Sequence, residues 1–130
     1  MDAARRPQIL MIEDDEAIAR LFREYLELSG YDVHLEAQGA LAVEYATEHR
    51  PDLVILDLRL PDIDGYEVCR ELRDRYPAWQ LPLIMLTGMD TSADRTRGIA
   101  YGADAYLTKP VEPPALLPVI ERLLSRAKQE

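Results

Sequence analysis

The chain has 130 residues, about the size of one domain, with 48% hydrophobic and 30% charged residues and a formal net charge of −9. That charge excludes a bare nucleic-acid binder, which needs a basic face, and it suits a metal cation or a basic protein surface as partner. The one cysteine, Cys69, excludes an internal disulfide or a thiolate metal cluster and fits a reducing compartment.

No apolar run approaches the ~20 residues of a membrane span. The first residues, MDAARRPQ, carry two arginines but no apolar core of a secretory signal. There is no repeat, linker or low-complexity segment. We expect a single domain over residues 1–130 with its core at about 8–126, and frayed ends at 1–6 and 126–130.

In chain order, QILMIE (8–13) is an apolar run of strand length. DEAIARLFREYLELSG follows at helical spacing, with Ile18, Leu21, Phe22, Tyr25 and Leu26 on one face and Gly30 where a left-handed C-cap belongs. YDVHLE (31–36) alternates as a strand, and GALAVEYATEHR (39–50) is a small-residue helix stopped by Pro51. DLVILD (52–57) is a continuous apolar run that ends on an acid. GYEVCRELRDRY (65–76) puts Val68, Cys69, Leu72 and Tyr76 on one helical face. LPLIMLT (81–87) is a strand, TSADRTRGIAYG (91–102) a weak helix with Gly98 inside it, DAYLTK (104–109) a fifth strand, and 111–128 the last helix. Pro118 should distort that helix: an interior proline costs ~3 kcal/mol or more. We expect a separate turn near Pro113–Leu117 and a helix proper from about Pro118. Trp79 reads as packing, and His34 and His49 as surface residues.

Alternating strands and helices imply an α/β fold: a parallel sheet with helices on both faces. Strands apolar throughout suggest burial on both sides. Ligands of such sheets sit at the carboxyl ends of the strands. Those ends carry Glu13, Asp14 and Asp15 on the first strand, Asp57 on the third, Thr87 on the fourth and Lys109-Pro110 on the fifth. Singly, Asp14, Asp15 and Asp64 read as helix caps. Asp57 resists that reading, because an acid that ends a buried strand needs a partner. Clustered carboxylates repel, a divalent cation relieves them, and oxygen-only ligands favour magnesium over zinc. A carboxylate beside magnesium can attack phosphorus and form an aspartyl phosphate, with Lys109 and Thr87 supporting the transferred group.

The set EDD at 13–15, DLRLPDIDG at 57–65, LTG at 86–88 and GADAYLTKP at 102–110 resembles the receiver domain of two-component response regulators, from Ile9 to about Leu124. The resemblance implies a flavodoxin-like, doubly wound five-stranded parallel sheet of order 2-1-3-4-5. It implies Asp57 as phosphoacceptor, supplied by a phosphohistidine on a sensor histidine kinase or phosphotransfer protein. It implies magnesium held by Asp14 directly, by Glu13 through water, by Asp57, and by the backbone carbonyl of Arg59. Thr87 and Lys109 would each hold a phosphoryl oxygen, and Lys109-Pro110 would be a cis peptide. Asp15 is then a helix cap. Tyr106, otherwise a surface aromatic, would be the switch residue that turns inward as Thr87 moves toward the phosphoryl group. The weak helix at 91–102 suits a moving element. The surface around the fourth helix, the fifth strand and the last helix would then signal to a downstream output domain or protein. The expected molecule is a cytoplasmic signalling switch rather than an enzyme, with no direct nucleic-acid or membrane contact.

The chain departs from the common pattern in three places. Arg59 and Met89 occupy the positions that tune phosphoryl lifetime, and slow self-dephosphorylation is the expectation. Ala105 replaces the second acid of the GADDY segment, which weakens the dimer formed through the fourth and fifth helices, although Asp94, Arg95, Arg97 and Arg122 keep some charge pairing possible. A monomer or weak dimer is expected. A haloacid-type phosphatase needs an acid at position 59, where this chain has arginine, and a flavodoxin loop would be repelled by EDDE. The live alternative is a phosphorylation-independent interaction module on the same fold.

Overall fold

The computed structural model describes residues 5–88 and 91–128. Five strands alternate with five helices: β1 (Gln8–Ile12), α1 (Glu16–Leu28), β2 (Asp32–Glu36), α2 (Gly39–His49), β3 (Leu53–Leu56), α3 (Gly65–Arg75), β4 (Leu83–Thr87), α4 (Ser92–Tyr101), β5 (Ala105–Thr108) and α5 (Pro113–Lys128). The strands form one parallel sheet in the order β2-β1-β3-β4-β5. The expected architecture and order are therefore observed.

Side-chain alternation splits the core in two. Leu10, Ile12, Val54, Leu56, Leu83 and Met85 face α2 and α3. Ile9, Met11, Leu53, Ile55, Ile84 and Leu86 face α1 and α5. The inner strands β1, β3 and β4 thus lose water from both faces and carry no polar alternation, whereas β2, at the sheet edge, is mostly half-buried and alternates.

Helix ends follow the local chemistry. Asp15 caps α1 by accepting from the amides of Ala17 and Ile18, and Asp64 caps α3 by accepting from Tyr66. Gly30 takes φ 107 just beyond α1, the left-handed conformation that glycine adopts without penalty. The cap of α2 was not legible locally: Gln38 makes no side-chain cap bond. Asp62, far along the chain, accepts from the amides of Gly39 and Ala40 at 2.8 and 2.9 Å instead.

Several expectations are corrected. The last helix neither breaks nor restarts at Pro118; it runs unbroken from Pro113 to Lys128. Leu116 and Ile120, on either side of the proline, are both fully buried. Burying them, at about 1.5–3 kcal/mol each, offsets the roughly 3 kcal/mol of an interior proline. Pro118 and Pro114, whose carbonyl loses its partner, lie on the exposed side where water can serve. Leu21 is exposed, because Ala19, Phe22 and Leu26 set the buried line of α1 and Leu21 falls beside it. Trp79 is exposed too; the turn in which Gln80 and Leu81 donate to the Pro77 carbonyl seats Leu81 in the core instead. The ends are less frayed than expected where they are described. Arg6 bonds the carbonyl of Tyr31 and pairs with Asp32 at 3.3 Å, and Arg126 on α5 pairs with Asp104 at 2.8 Å.

Candidate functional site

Register builds the site. Ile12 pairs with Leu56 across β1 and β3, so the next residues, Glu13 and Asp57, leave the sheet side by side. Thr87 pairs with Thr108 at the end of β4 and β5, so Lys109 emerges one step later beside them. The Lys109 amide donates to the Thr87 carbonyl at 2.7 Å, and the Lys109-Pro110 bond is cis, as expected.

The Lys109 ammonium donates to Glu13 Oε1 and to Asp57 Oδ2, each at 2.9 Å. Both acids are nearly enclosed, at 3% and 6% exposure, while Asp14 is exposed. Glu13, Asp14 and Asp57 bring carboxylate oxygens within 4.8 Å of one another. The amide of Arg59 donates to Asp57 Oδ1 at 3.1 Å, and that of Asp15 to Glu13 Oε2 at 3.2 Å. Thr87 is fully buried at the same edge. The predicted residues Glu13, Asp14, Asp57, Thr87 and Lys109 therefore do converge.

One ammonium cannot balance three carboxylates. Two unit charges at about 4 Å repel by roughly 4 kcal/mol at an effective dielectric near 20. Burial pushes the Glu13 carboxyl up to about 7, Asp57 beside it adds to the rise, and the hydrogen bond from Lys109 pulls the other way. Burial alone would lower the Lys109 ammonium; the hydrogen bonds to Glu13 and Asp57 hold it above its ordinary value. The remaining negative charge, presented by oxygens only and open to solvent at Asp14, fits a hard divalent cation.

The Arg59 side chain is exposed, and Met89 lies outside the described residues. Tyr106 corrects the surface reading of its strand position: it is 7% exposed, on the face of the sheet that packs on α2 and α3. The fourth helix is thinly packed, as expected, with Gly98 its one buried residue and Ile99 54% exposed. It is nonetheless well started by a capping box between Thr91 and Asp94.

Three features escaped the sequence. Asp62 ties the loop after β3 to α2. Asp104 is gripped by Arg73 and Arg126, each at 2.8 Å, and accepts from the Leu83 amide. Tyr66 stands between α3, α4 and β5. In each case the partner is distant in sequence, so no local pattern marks it. Cys69 is buried, donates to the Tyr101 carbonyl at 3.2 Å, and has its thiol pushed up to about 11 by burial, so it is an unreactive core residue.

Comparison with known proteins agrees with this geometry. A family model described as the response regulator receiver domain matches residues 9–121. The phosphate regulon transcriptional regulatory protein PhoB of Rhizobium meliloti (strain 1021) is 43% identical over 124 residues, covering 95% of this chain and 55% of that protein. The alkaline phosphatase synthesis transcriptional regulatory protein PhoP of Bacillus subtilis (strain 168) is 39% identical over 121 residues, covering 93% and 50%. The chain thus spans about half the length of the curated relatives it matches. A CheY-like response regulator receiver domain protein from Methanospirillum hungatei JF-1 superposes with a TM-score of 0.90 at 30% identity, over 96% of this chain and 98% of that one. The BeF3-activated N-terminal receiver domain of Klebsiella pneumoniae RstA gives 0.84 at 34% identity, over 90% and 97%. With acids from two adjacent strands and a lysine from a third meeting at one sheet edge, and with a family match over most of its length, the chain belongs to the response regulator receiver domains of two-component systems.

Proposed function

We propose that Asp57 accepts a phosphoryl group from a phosphohistidine on a sensor histidine kinase or phosphotransfer protein. The carboxylate attacks phosphorus, the phosphorus–nitrogen bond breaks, and its electron pair stays on the imidazole, which takes up a proton. The observation that carries this reading is the Lys109 ammonium bridging Glu13 and Asp57 at 2.9 Å each, with Asp14 alongside. Lys109 would follow the charge onto a phosphoryl oxygen, and the Thr87 hydroxyl would donate to another. Magnesium, held by Asp14, Asp57, the Arg59 carbonyl and Glu13 through water, would supply the positive charge that draws the phosphoryl oxygens in. Arg59 and Met89 would set the lifetime of the acyl phosphate.

The chain acts as one receiver domain, a signalling switch without a substrate turnover of its own. Its readout is the surface around α4, β5 and α5, acting on a downstream output domain or protein. The charges that would pair between two copies are largely engaged within the chain. Arg95 bonds the Tyr106 carbonyl and Thr108, Arg97 lies 4.2 Å over the Tyr66 ring, and Asp94 accepts from Thr91. That supports a monomer or weak dimer. No helix among the described residues is long and apolar enough to cross a membrane, which supports a cytoplasmic setting. The alternative, an interaction module that works without phosphorylation, draws no support from the comparisons.

The test is intact mass after incubation with a small acyl phosphate, with and without magnesium, for the wild type and Asp57→Asn. We expect a magnesium-dependent gain of one phosphoryl group, absent in the variant. No gain in the wild type at any magnesium concentration would overturn the proposal. Arg59→Ala and Met89→Ala should speed its decay.

A further inference from the structure

Tyr66 is the second residue of α3, directly after the loop that leaves Asp57. That loop and the helix are held as one piece. The Gly65 amide donates to the Leu58 carbonyl at 3.1 Å, and a Cβ on Gly65 would sit 2.5 Å from the Leu58 Cα. Tyr66 is almost fully buried, and among the described residues its ring and cation contacts come from α4. Its hydroxyl donates to the Asp94 carbonyl in the first turn of α4 at 3.3 Å. It also lies near the hydroxyl of Tyr106 on β5, in the same buried cluster. The Arg97 guanidinium covers its ring at 4.2 Å, and the Tyr101 ring lies 5.3 Å away.

The seat of Tyr106 has a second wall. A Cβ on Gly98 would meet Tyr106 Cδ2 at 2.6 Å and Cε2 at 2.8 Å, and Met85 Sδ at 3.0 Å. Gly98 lies within α4 and has no left-handed φ, so its backbone does not require glycine. Alanine is the better helix former there. Space for the Tyr106 ring is what the missing side chain provides. Arg95 closes the outer side, 5.5 Å over the ring.

We infer that Tyr66 is a positioning residue that latches Tyr106 in its inward seat, and that Gly98 is the floor of that seat, so that the acceptor loop, α4 and β5 change state together. The inference deepens the receiver reading and rests on it for the role of Tyr106. A single neutral hydrogen bond at the Tyr66 hydroxyl is worth roughly threefold to tenfold in population, enough to bias a switch without freezing it. A side chain at position 98 acts more strongly, because it occupies the seat itself.

The test compares Tyr66→Phe and Gly98→Ala with the wild type. One readout is the inward population of Tyr106, followed by fluorine NMR of 3-fluorotyrosine-labelled protein with the signal assigned through Tyr106→Phe. The second is the affinity for beryllofluoride with magnesium. Melting temperature is measured alongside. Tyr66→Phe should keep the melting temperature, move Tyr106 outward by roughly threefold to tenfold, and weaken beryllofluoride by a similar factor. Gly98→Ala should move Tyr106 further outward in a helix that is no less stable. A Tyr106 signal unchanged in Tyr66→Phe, or a lower melting temperature with Tyr106 unmoved, would overturn the inference; should Gly98→Ala fail to fold, Tyr66→Phe decides alone. The NMR arm needs no phosphodonor, so a wild type that takes no phosphoryl group would sink the phosphoacceptor reading while the latch is still judged.

Discussion

The two ends of this molecule's helical coat are built differently. On one face, α1 and α5 press Phe22, Leu26, Leu116, Ile120 and Leu123 into the sheet, all of them buried. Near the other edge, α4 buries only Gly98 and leaves Ile99 more than half exposed. It is held by polar and aromatic contacts instead: Asp94 and Arg97 to Tyr66, and Arg95 to β5. Apolar burial is strong and non-directional, whereas these contacts are weaker, directional and exchangeable. A two-state element can therefore reside on the second side. The scaffold side supplies stability, and the switch side is kept cheap to rearrange.

The comparison can be broken by substitution. The largest effect belongs to the scaffold face: Leu123→Ala, at a fully buried site, should lose about 2–5 kcal/mol in urea unfolding. A loss below about 1 kcal/mol would mean that α5 is as loosely held as α4.

Next comes the acid cluster, read through pH without divalent cations. The Glu13 carboxyl is raised from 4.5 to about 7 in the folded chain. A group raised on folding contributes fully below its unfolded value, and its contribution is lost as pH rises through the folded value. Stability should therefore fall between pH 4.5 and about 7, and Glu13→Gln should flatten that slope. Equal slopes in both proteins would remove Glu13 as the cause.

A smaller effect is expected at Asp62, whose carboxylate caps α2 from the loop after β3. Asp62→Ala should cost about 1 kcal/mol, as lost N-caps do. Hydrogen exchange should show the opening confined to the first turn of α2. Uniform loosening across the sheet would contradict a local cap.

The smallest effect marks the switch side. Ile99→Ala should stay within about 0.5 kcal/mol of the wild type, because its side chain is largely in water already. A large loss would show that α4 buries this residue against something in solution, and the contrast drawn above would fail.

Much of this was legible in the residues themselves. Runs such as Val54–Leu56 and Leu83–Leu86 announce strands buried on both faces, and the acid that ends the third run announces a site. Asp15 and Asp64 announce helix starts through short-range bonds, which local sequence encodes. Pro118 misled for the same reason that it was visible. Its local penalty is real, but the burial of Leu116 and Ile120 around it is decided by the sheet they meet.

The order of elements, the residue types at each strand end and hence the receiver family follow from the residues in chain order alone. Those properties are carried by periodicities of two and 3.6 residues and by turn chemistry, which act over a few positions. Tertiary packing alone sets the Lys109 bridge between Glu13 and Asp57, the cap that Asp62 puts on a helix 23 residues away, and the room that Gly98 leaves for the Tyr106 ring. Those contacts join residues from different elements, and strand register and helix packing choose the partners that local preference cannot name.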